Sequence, residues 1–381
     1  MSKQNKTVLF LFINGPHHVY HLILPALRFS ALKNEIETIF ISGNPLNTKI
    51  INDTKKITGI NNFTLIDIPL PLRYRIKNYK NRLYPPVYTR IKKVIKYLRN
   101  ANAIISTSHN FPEYLSKYEI KRPTLIYLYH GTGTRAYGFE SSLKEFDHIL
   151  IPGQYHKDRL IKSFPVKDGQ LEMVGVPKLD WMKIKKSKSQ RLFNNDNPIF
   201  YYNPHWEIEF SSYLKWKDVI LEFFKQKKFY NLIFSPHPLI QHLSKKTGYE
   251  LNEKNIVEDN ILVDLESDQC LDGTYTSMAD VYIGDISSMV TEWVMQKPRP
   301  CIFINAHNVN WKGNDDYYMW RFGKVVNELK EFEDAVKKST HHNDFEKIQK
   351  KLKNEFIYSS DKSSSDLCAR FIETKLSIPS K

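Results

Sequence analysis

Residues 279–298 read ADVYIGDISSMVTEWVMQKP. A short apolar run from Asp280 to Gly284 ends in a polar turn, Asp285-Ile286-Ser287-Ser288. A stretch with helical spacing follows, Met289 to Gln296, and Pro298 stops it. Strand, turn and helix in this order form the repeating unit of a parallel sheet whose crossovers are helices. The run is continuous rather than alternating, as in a strand buried on both faces.

The same unit recurs along the chain. Runs at 7–13, 37–42, 63–68, 103–107, 124–129, 148–152 and 171–175 form a first group. Runs at 198–203, 231–235, 261–265, 280–284 and 300–304 form a second. The spacing breaks after Val174-Gly175-Val176-Pro177, at a lysine-rich segment from Lys183 to Asn197 that reads as a linker. A chain of 381 residues suits two domains. The pattern predicts an α/β chain of two Rossmann-like domains, residues 1–185 and 195–345. A helical tail, 346–381, is expected to pack back on the first domain. Ligands of doubly wound sheets bind outside the carboxyl ends of the strands, so residues just after each run are the ones to inspect. They are expected to converge on an inter-domain cleft.

Composition narrows the partners. The net charge of +15 favours an anionic one. Between Asp67 and Glu113 there is no acidic residue, while Arg73, Arg75, Lys77, Lys80, Arg82, Arg90, Lys92, Lys93, Lys96 and Arg99 alternate with tyrosines. On a helix, Lys92, Lys93, Lys96 and Arg99 line one side and Ile91, Val94, Ile95 and Leu98 another. Such a helix suits either an anionic membrane surface, with residues 71–99 as the contact, or an ordinary core with a solvated basic face. The run Thr7 to Ile13 is too short for an export signal, and no run reaches the roughly 18 residues of a membrane span. Cys270, Cys301 and Cys368 are scattered without metal-ligand spacing. A cytoplasmic location is the expectation.

Several turns carry chemistry. His130-Gly131-Thr132-Gly133-Thr134-Arg135 follows a strand; Gly131 allows close backbone approach, Thr132 and Arg135 offer donors, and His130 can accept a proton. Ser235-Pro236-His237-Pro238 fixes the backbone around a second histidine. Asp285, Ser287 and Ser288 precede a helix whose free N–H groups and dipole favour an anion such as a diphosphate. Glu292, one turn on, is a candidate for ribose hydroxyls, and Pro236 for the nucleotide. His17 and His109 follow strands of the first domain and are candidates on the acceptor side. A capped turn or a solvated histidine explains each motif taken alone. Trp311, Tyr317, Tyr318 and Trp320 after the last run suit either stacking on a base or packing. No Walker loop, dinucleotide Gly-x-Gly-x-x-Gly, Gly-x-Ser-x-Gly elbow or zinc spacing is present, which disfavours NTPase, dehydrogenase and hydrolase chemistry.

Taken together and in order, His130-Gly131-Thr132, Ser235-Pro236-His237-Pro238 and Ala279 to Ser288 followed by Lys297-Pro298 resemble the CDP-glycerol glycerophosphotransferase family, which builds teichoic acids and related capsule polymers. Val174-Gly175-Val176-Pro177 resembles its Gly-x-Pro segment. The likeness spans roughly residues 100–305. It implies a GT-B-type fold with a CDP- or CMP-linked donor held by the second domain. It also implies His130 as base for an acceptor hydroxyl, with His237, Ser287 and Ser288 at the donor phosphates, and work at the inner face of the cell membrane. No cofactor and no metal are expected. Here Gly133-Thr134-Arg135 stands where the family usually has a proline, and Ile286 where it has an aromatic. The transferred group is therefore glycerol phosphate, another polyol phosphate or a sugar from a CMP-keto-sugar. A UDP-sugar 2-epimerase on the same fold and a basic nucleic-acid-binding protein are the rivals, the second without a recognised nucleic-acid module.

Overall fold

The structure is a computed structural model that describes residues 6–32, 35–69, 72, 88–134, 138–186, 192–237, 239–240, 258–265, 267–287 and 289–377. Contacts divide the chain into two units. The first comprises the described residues of Met1–Thr132, Tyr137–Trp181 and Glu355–Lys381, and the second those of Gly133–Ala136 and Met182–Asn354.

The first unit is a parallel sheet of β1 (Lys6–Phe12), β2 (Ile36–Ser42), β3 (Thr64–Asp67), β4 (Ala103–Ser106), β5 (Thr124–Leu128), β6 (His148–Ile151) and β7 (Leu171–Met173). The strand order is β3-β2-β1-β4-β5-β6-β7. Phe10 sits opposite Phe40 of β2 and Ile105 of β4, so the order reverses between β1 and β4. Leu9, Leu11, Ile41, Ile104, Leu125 and Ile149 form one core, with no more than 1% exposure each. Continuous apolar strands produce this burial because helices cover the sheet.

The helix Ser364–Ser377 packs on the helix Pro16–Ala31 in this unit. Asp180 accepts bonds there from Ser365 N at 2.8 Å and Ser365 Oγ at 2.9 Å. Gly175 has φ 79°, and a Cβ there would collide with Ser364 Oγ and the Tyr358 carbonyl. The Gly-x-Pro segment is thus a place where only glycine lets the C-terminal helix approach.

The second unit contains β8 (Ile199–Asn203), β9 (Asn231–Phe234), β10 (Ile261–Val263), β11 (Val281–Gly284), β12 (Cys301–Ile304) and β13 (Lys324–Val326). Their order is β10-β9-β8-β11-β12-β13, all parallel, with Gly284 opposite Asn203 and Phe303. The reversal here lies between β8 and β11. Both units are doubly wound, as a GT-B-type chain requires.

Three details differ from the sequence-based expectation. β13 did not stand out, because Lys324-Val325-Val326 has only two apolar residues, between Gly323-Lys324 and Asn327-Glu328. The lysine-rich segment opens as the end of a helix, Pro177–Lys186, rather than as irregular linker. Arg90 does not belong to an exposed basic face. It is 2% exposed, and its guanidinium donates to the Ile13 carbonyl at 2.6 Å, just past the end of β1. The rest of that helix, Tyr88–Asn100, places Ile91, Val94 and Leu98 in the core and Lys92, Lys93, Lys96 and Arg99 in solvent. The basic residues between Arg73 and Arg82 lie outside the described residues. Among the described residues no helix is long and apolar enough to cross a membrane.

Candidate functional site

In the first unit the loops after β1, β4 and β5 bring histidines together. Gly15 and Pro16 start the helix Pro16–Ala31, whose first two turns carry His17, His18 and His21. The His18 ring lies 4.4 Å from His17 and 3.9 Å from His130, centroid to centroid. Thr107, just beyond β4, ties two of these loops. Its hydroxyl accepts from Asn14 Nδ2 at 3.1 Å and lies 3.0 Å from His18 Nδ1. His109 Nδ1 lies 3.1 Å from Ser142 Oγ. His17 and His109, named as acceptor-side candidates, thus stand at the same carboxyl end of the sheet as His130. Among the described residues, no group of three or more His, Cys, Asp or Glu side chains is arranged to hold a metal ion.

His130 is half-buried and lies two residues beyond the end of β5. Burial first, then His17 and His109, push its pKa down to about 3. His18 and His21 are lowered well below the ordinary value as well, again by burial first and then by His130 and Lys178 respectively. His18, His21 and His130 are therefore neutral at physiological pH, and each of these imidazoles keeps a lone pair. His130 Nδ1 lies 3.4 Å from Tyr127 Oη. A base role for Nε2 requires the tautomer in which Nδ1–H donates to that oxygen. Gly131 has φ 141°, a conformation that favours glycine, and Thr132 is buried. Arg135 lies outside the described residues.

In the second unit the reversal between β8 and β11 is closed by a carboxylate. Asp285 is fully buried and accepts from His205 N at 2.9 Å, Ser212 N at 2.6 Å and Ser212 Oγ at 2.8 Å. Its backbone carbonyl accepts from Trp320 Nε1 at 3.2 Å. Burial raises its pKa to about 6, partly offset by those donors. This corrects the assignment of Asp285 to donor phosphates: the carboxylate is committed to the scaffold, and a buried anion repels another. Its work is to fix the exit of β8 and the start of the helix Tyr213–Gln226 against the β11 turn.

The residues around that turn are ordered by it. Ser287 Oγ accepts from Met289 N at 3.1 Å, so the helix Met289–Gln296 begins there. Ser288 lies outside the described residues. Glu292 is half-buried and accepts from Thr276 Oγ1 at 3.2 Å, tying its helix to Thr274–Met278. Tyr317 and Trp320 are buried with rings 4.7 Å apart, so for this pair packing, not base stacking, describes the arrangement.

His237 after β9 has a partner in His205, which like it follows a strand as part of a Pro-His pair. Its ring lies 5.8 Å from that of His205 after β8. The Leu239 amide donates to His237 Nδ1 and the Glu207 amide to His205 Nδ1, each at 3.1 Å. Both rings therefore carry their proton on Nε2, which makes each a neutral N–H donor. Burial, then His205, lowers the His237 pKa to about 3. Pro236 is buried and shapes the loop rather than offering a surface to a base. The signal for His205 was the repeated Asn-Pro-His and Ser-Pro-His pattern at two adjacent strand ends.

The family model described as CDP-Glycerol:Poly(glycerophosphate) glycerophosphotransferase matches residues 74–374. Among solved structures, that of the wall teichoic acid polymerase TagF aligns with a TM-score of 0.62 at 15% identity, over 98% of this chain and 89% of that chain. The S. aureus MnaA–UDP co-structure aligns with a TM-score of 0.62 at 11% identity, over 99% and 98%. UDP-GlcNAc 2-epimerase from Methanocaldococcus jannaschii aligns with a TM-score of 0.58 at 13% identity, over 97% and 100%. At these identities the likeness is one of fold. No curated protein matches the chain.

Proposed function

Because the chain belongs to the CDP-glycerol:poly(glycerophosphate) glycerophosphotransferase family, we propose that it moves glycerol phosphate from CDP-glycerol onto a hydroxyl of a cell-surface polymer or its lipid-linked precursor. It is a transferase with a nucleotide-activated donor. The observation that carries the finer reading is the chemistry found at the two strand-order reversals. One presents a neutral, proton-accepting imidazole, and the other a pair of neutral N–H donors beside a helix start.

In the proposed reaction His130 Nε2 takes the proton of the acceptor hydroxyl. The oxygen attacks the β-phosphorus of the donor, a new O–P bond forms, and the bond to CMP breaks. CMP leaves as an anion. His237 Nε2–H, the N–H groups near Ser287 and Ser288, and Arg135 hold the phosphate oxygens as charge moves onto the leaving group. Neutral donors suit this task because they bind a diphosphate without a pH-dependent charge.

The test pairs binding with turnover. CDP should raise the apparent melting temperature of wild type and of His130→Ala alike, more than UDP does. CMP release in the presence of acceptor should fall at least about a hundredfold in His130→Ala. Wild-type-like turnover in that variant would remove the base assignment. The fold likeness to epimerases keeps one rival in view, and product from a UDP-sugar alone, without acceptor, would favour it.

The exposed face of Lys92, Lys93, Lys96 and Arg99 is proposed to meet the anionic surface that carries a lipid-linked acceptor. Vesicles with anionic lipid should retain the protein at low salt, and a fourfold glutamine variant should bind them about tenfold or more weakly. Equal retention of the variant argues for a solvated face without that role.

A further inference from the structure

The His18 side chain is not accounted for by packing alone. It sits in the first turn of a helix whose start is preset by Pro16, and its ring lies against His130 with centroids 3.9 Å apart and planes tilted by 31°. The other edge of the ring is anchored. Thr107 Oγ1 accepts from Asn14 Nδ2 and makes a second hydrogen bond with His18 Nδ1, 3.0 Å away. That bond fixes the ring, whose neutral face is turned to His130.

We propose that His18 is a positioning residue for His130: it clamps the His130 ring from one side and offers a neutral aromatic face to the imidazolium that forms when the acceptor proton is taken. The inference rests on His130 as the base. A cation is attracted to the face of a neutral aromatic ring at this distance. A protonated His18 would instead repel it, and burial together with His130, His17, His21 and His109 holds His18 neutral. The other groups around the pair are Tyr127 Oη beside His130 Nδ1, the Thr107 hydroxyl, and Lys178, which acts on His21.

The test compares His18→Ala with His18→Phe, which keeps a ring face but loses the bond to Thr107. His18→Ala should lower kcat about tenfold with KM little changed, and His18→Phe should recover most of that loss. His18→Leu, which keeps the burial but loses the ring face, separates the two: its kcat should fall about tenfold, as in His18→Ala, with KM little changed. A wild-type-like kcat in His18→Leu, or a kcat as poor in His18→Phe as in His18→Ala, would overturn the inference. Failure of the base assignment itself shows separately, as turnover retained in His130→Ala. If His18→Ala does not fold, the kcat values of His18→Leu and His18→Phe still decide, since the first must be poor and the second close to wild type.

Discussion

The two strand-order reversals solve the same geometric problem with different chemistry. In the first unit a hydroxyl, Thr107, ties the β1 exit to the residue after β4 through two neutral bonds to Asn14 and His18. In the second, a buried carboxylate, Asp285, ties the β11 exit to the β8 exit through three donors. Bonds to an ionised acceptor are about twice as strong as neutral ones. The second reversal is thereby a rigid mount for the loop of His205 and the helix near Ser287. The first is a looser mount on which imidazoles crowd one another and stay neutral. A group that must exchange a proton is served by neutral neighbours, whereas a seat for phosphate oxygens is served by fixed N–H directions.

The largest expected effect separates the two mounts directly. Asp285→Ala leaves the His205 and Ser212 amides at the β8 exit buried without an acceptor and should cost about 3 kcal/mol or more of unfolding free energy. Thr107→Val keeps the shape and removes only neutral bonds, so about 1 kcal/mol is expected. Urea unfolding measures both, and equal losses would erase the distinction.

A smaller and opposite pair of effects appears with pH. His18, His21, His130 and His237 have folded pKa values below the unfolded 6.5, so the unfolded chain binds more protons than the folded one as pH falls from about 7. Their contribution is fully present above pH 6.5 and is lost progressively as pH falls toward their folded values. Asp285 works in the other direction. Its folded pKa, about 6, exceeds the unfolded value, so its contribution falls as pH rises from about 4 through 6. Four groups outweigh one, and the melting temperature should drop between pH 7 and pH 5. His18→Phe should flatten that drop, and Asp285→Asn should steepen it by removing the opposing group. A melting temperature unchanged over that range would mean the imidazoles are not held neutral by the fold.

Much of the first mount and half of the second were legible in the chain itself. His130 and His237 announced themselves because each follows a continuous apolar run and is flanked by glycine or proline. His18 and His21 did not. They lie within the helix Pro16–Ala31 among Val19, Leu22 and Ile23, where a histidine reads as a core residue. Asp285 was seen and misassigned, since a carboxylate at a helix start looks the same in sequence whether it faces ligand or interior. His205 stood out only by its place after a strand, in a Pro-His pair that matches that of His237, and the pairing of the two rings was not legible.

By itself, the amino-acid order determined twelve of the thirteen described strands, the division into two doubly wound units and the turns that carry polar groups. These follow from burial on both faces of a parallel sheet, which forces continuous apolar runs of set length. Only the tertiary structure decided which polar atoms meet. The pairing of His18 with His130, the turning inward of Asp285 and the burial of Arg90 under the end of β1 depend on contacts between residues some 73 to 112 positions apart. Local periodicity records whether a side chain is buried, but the direction of a hydrogen bond is set by the partner that folding brings to it.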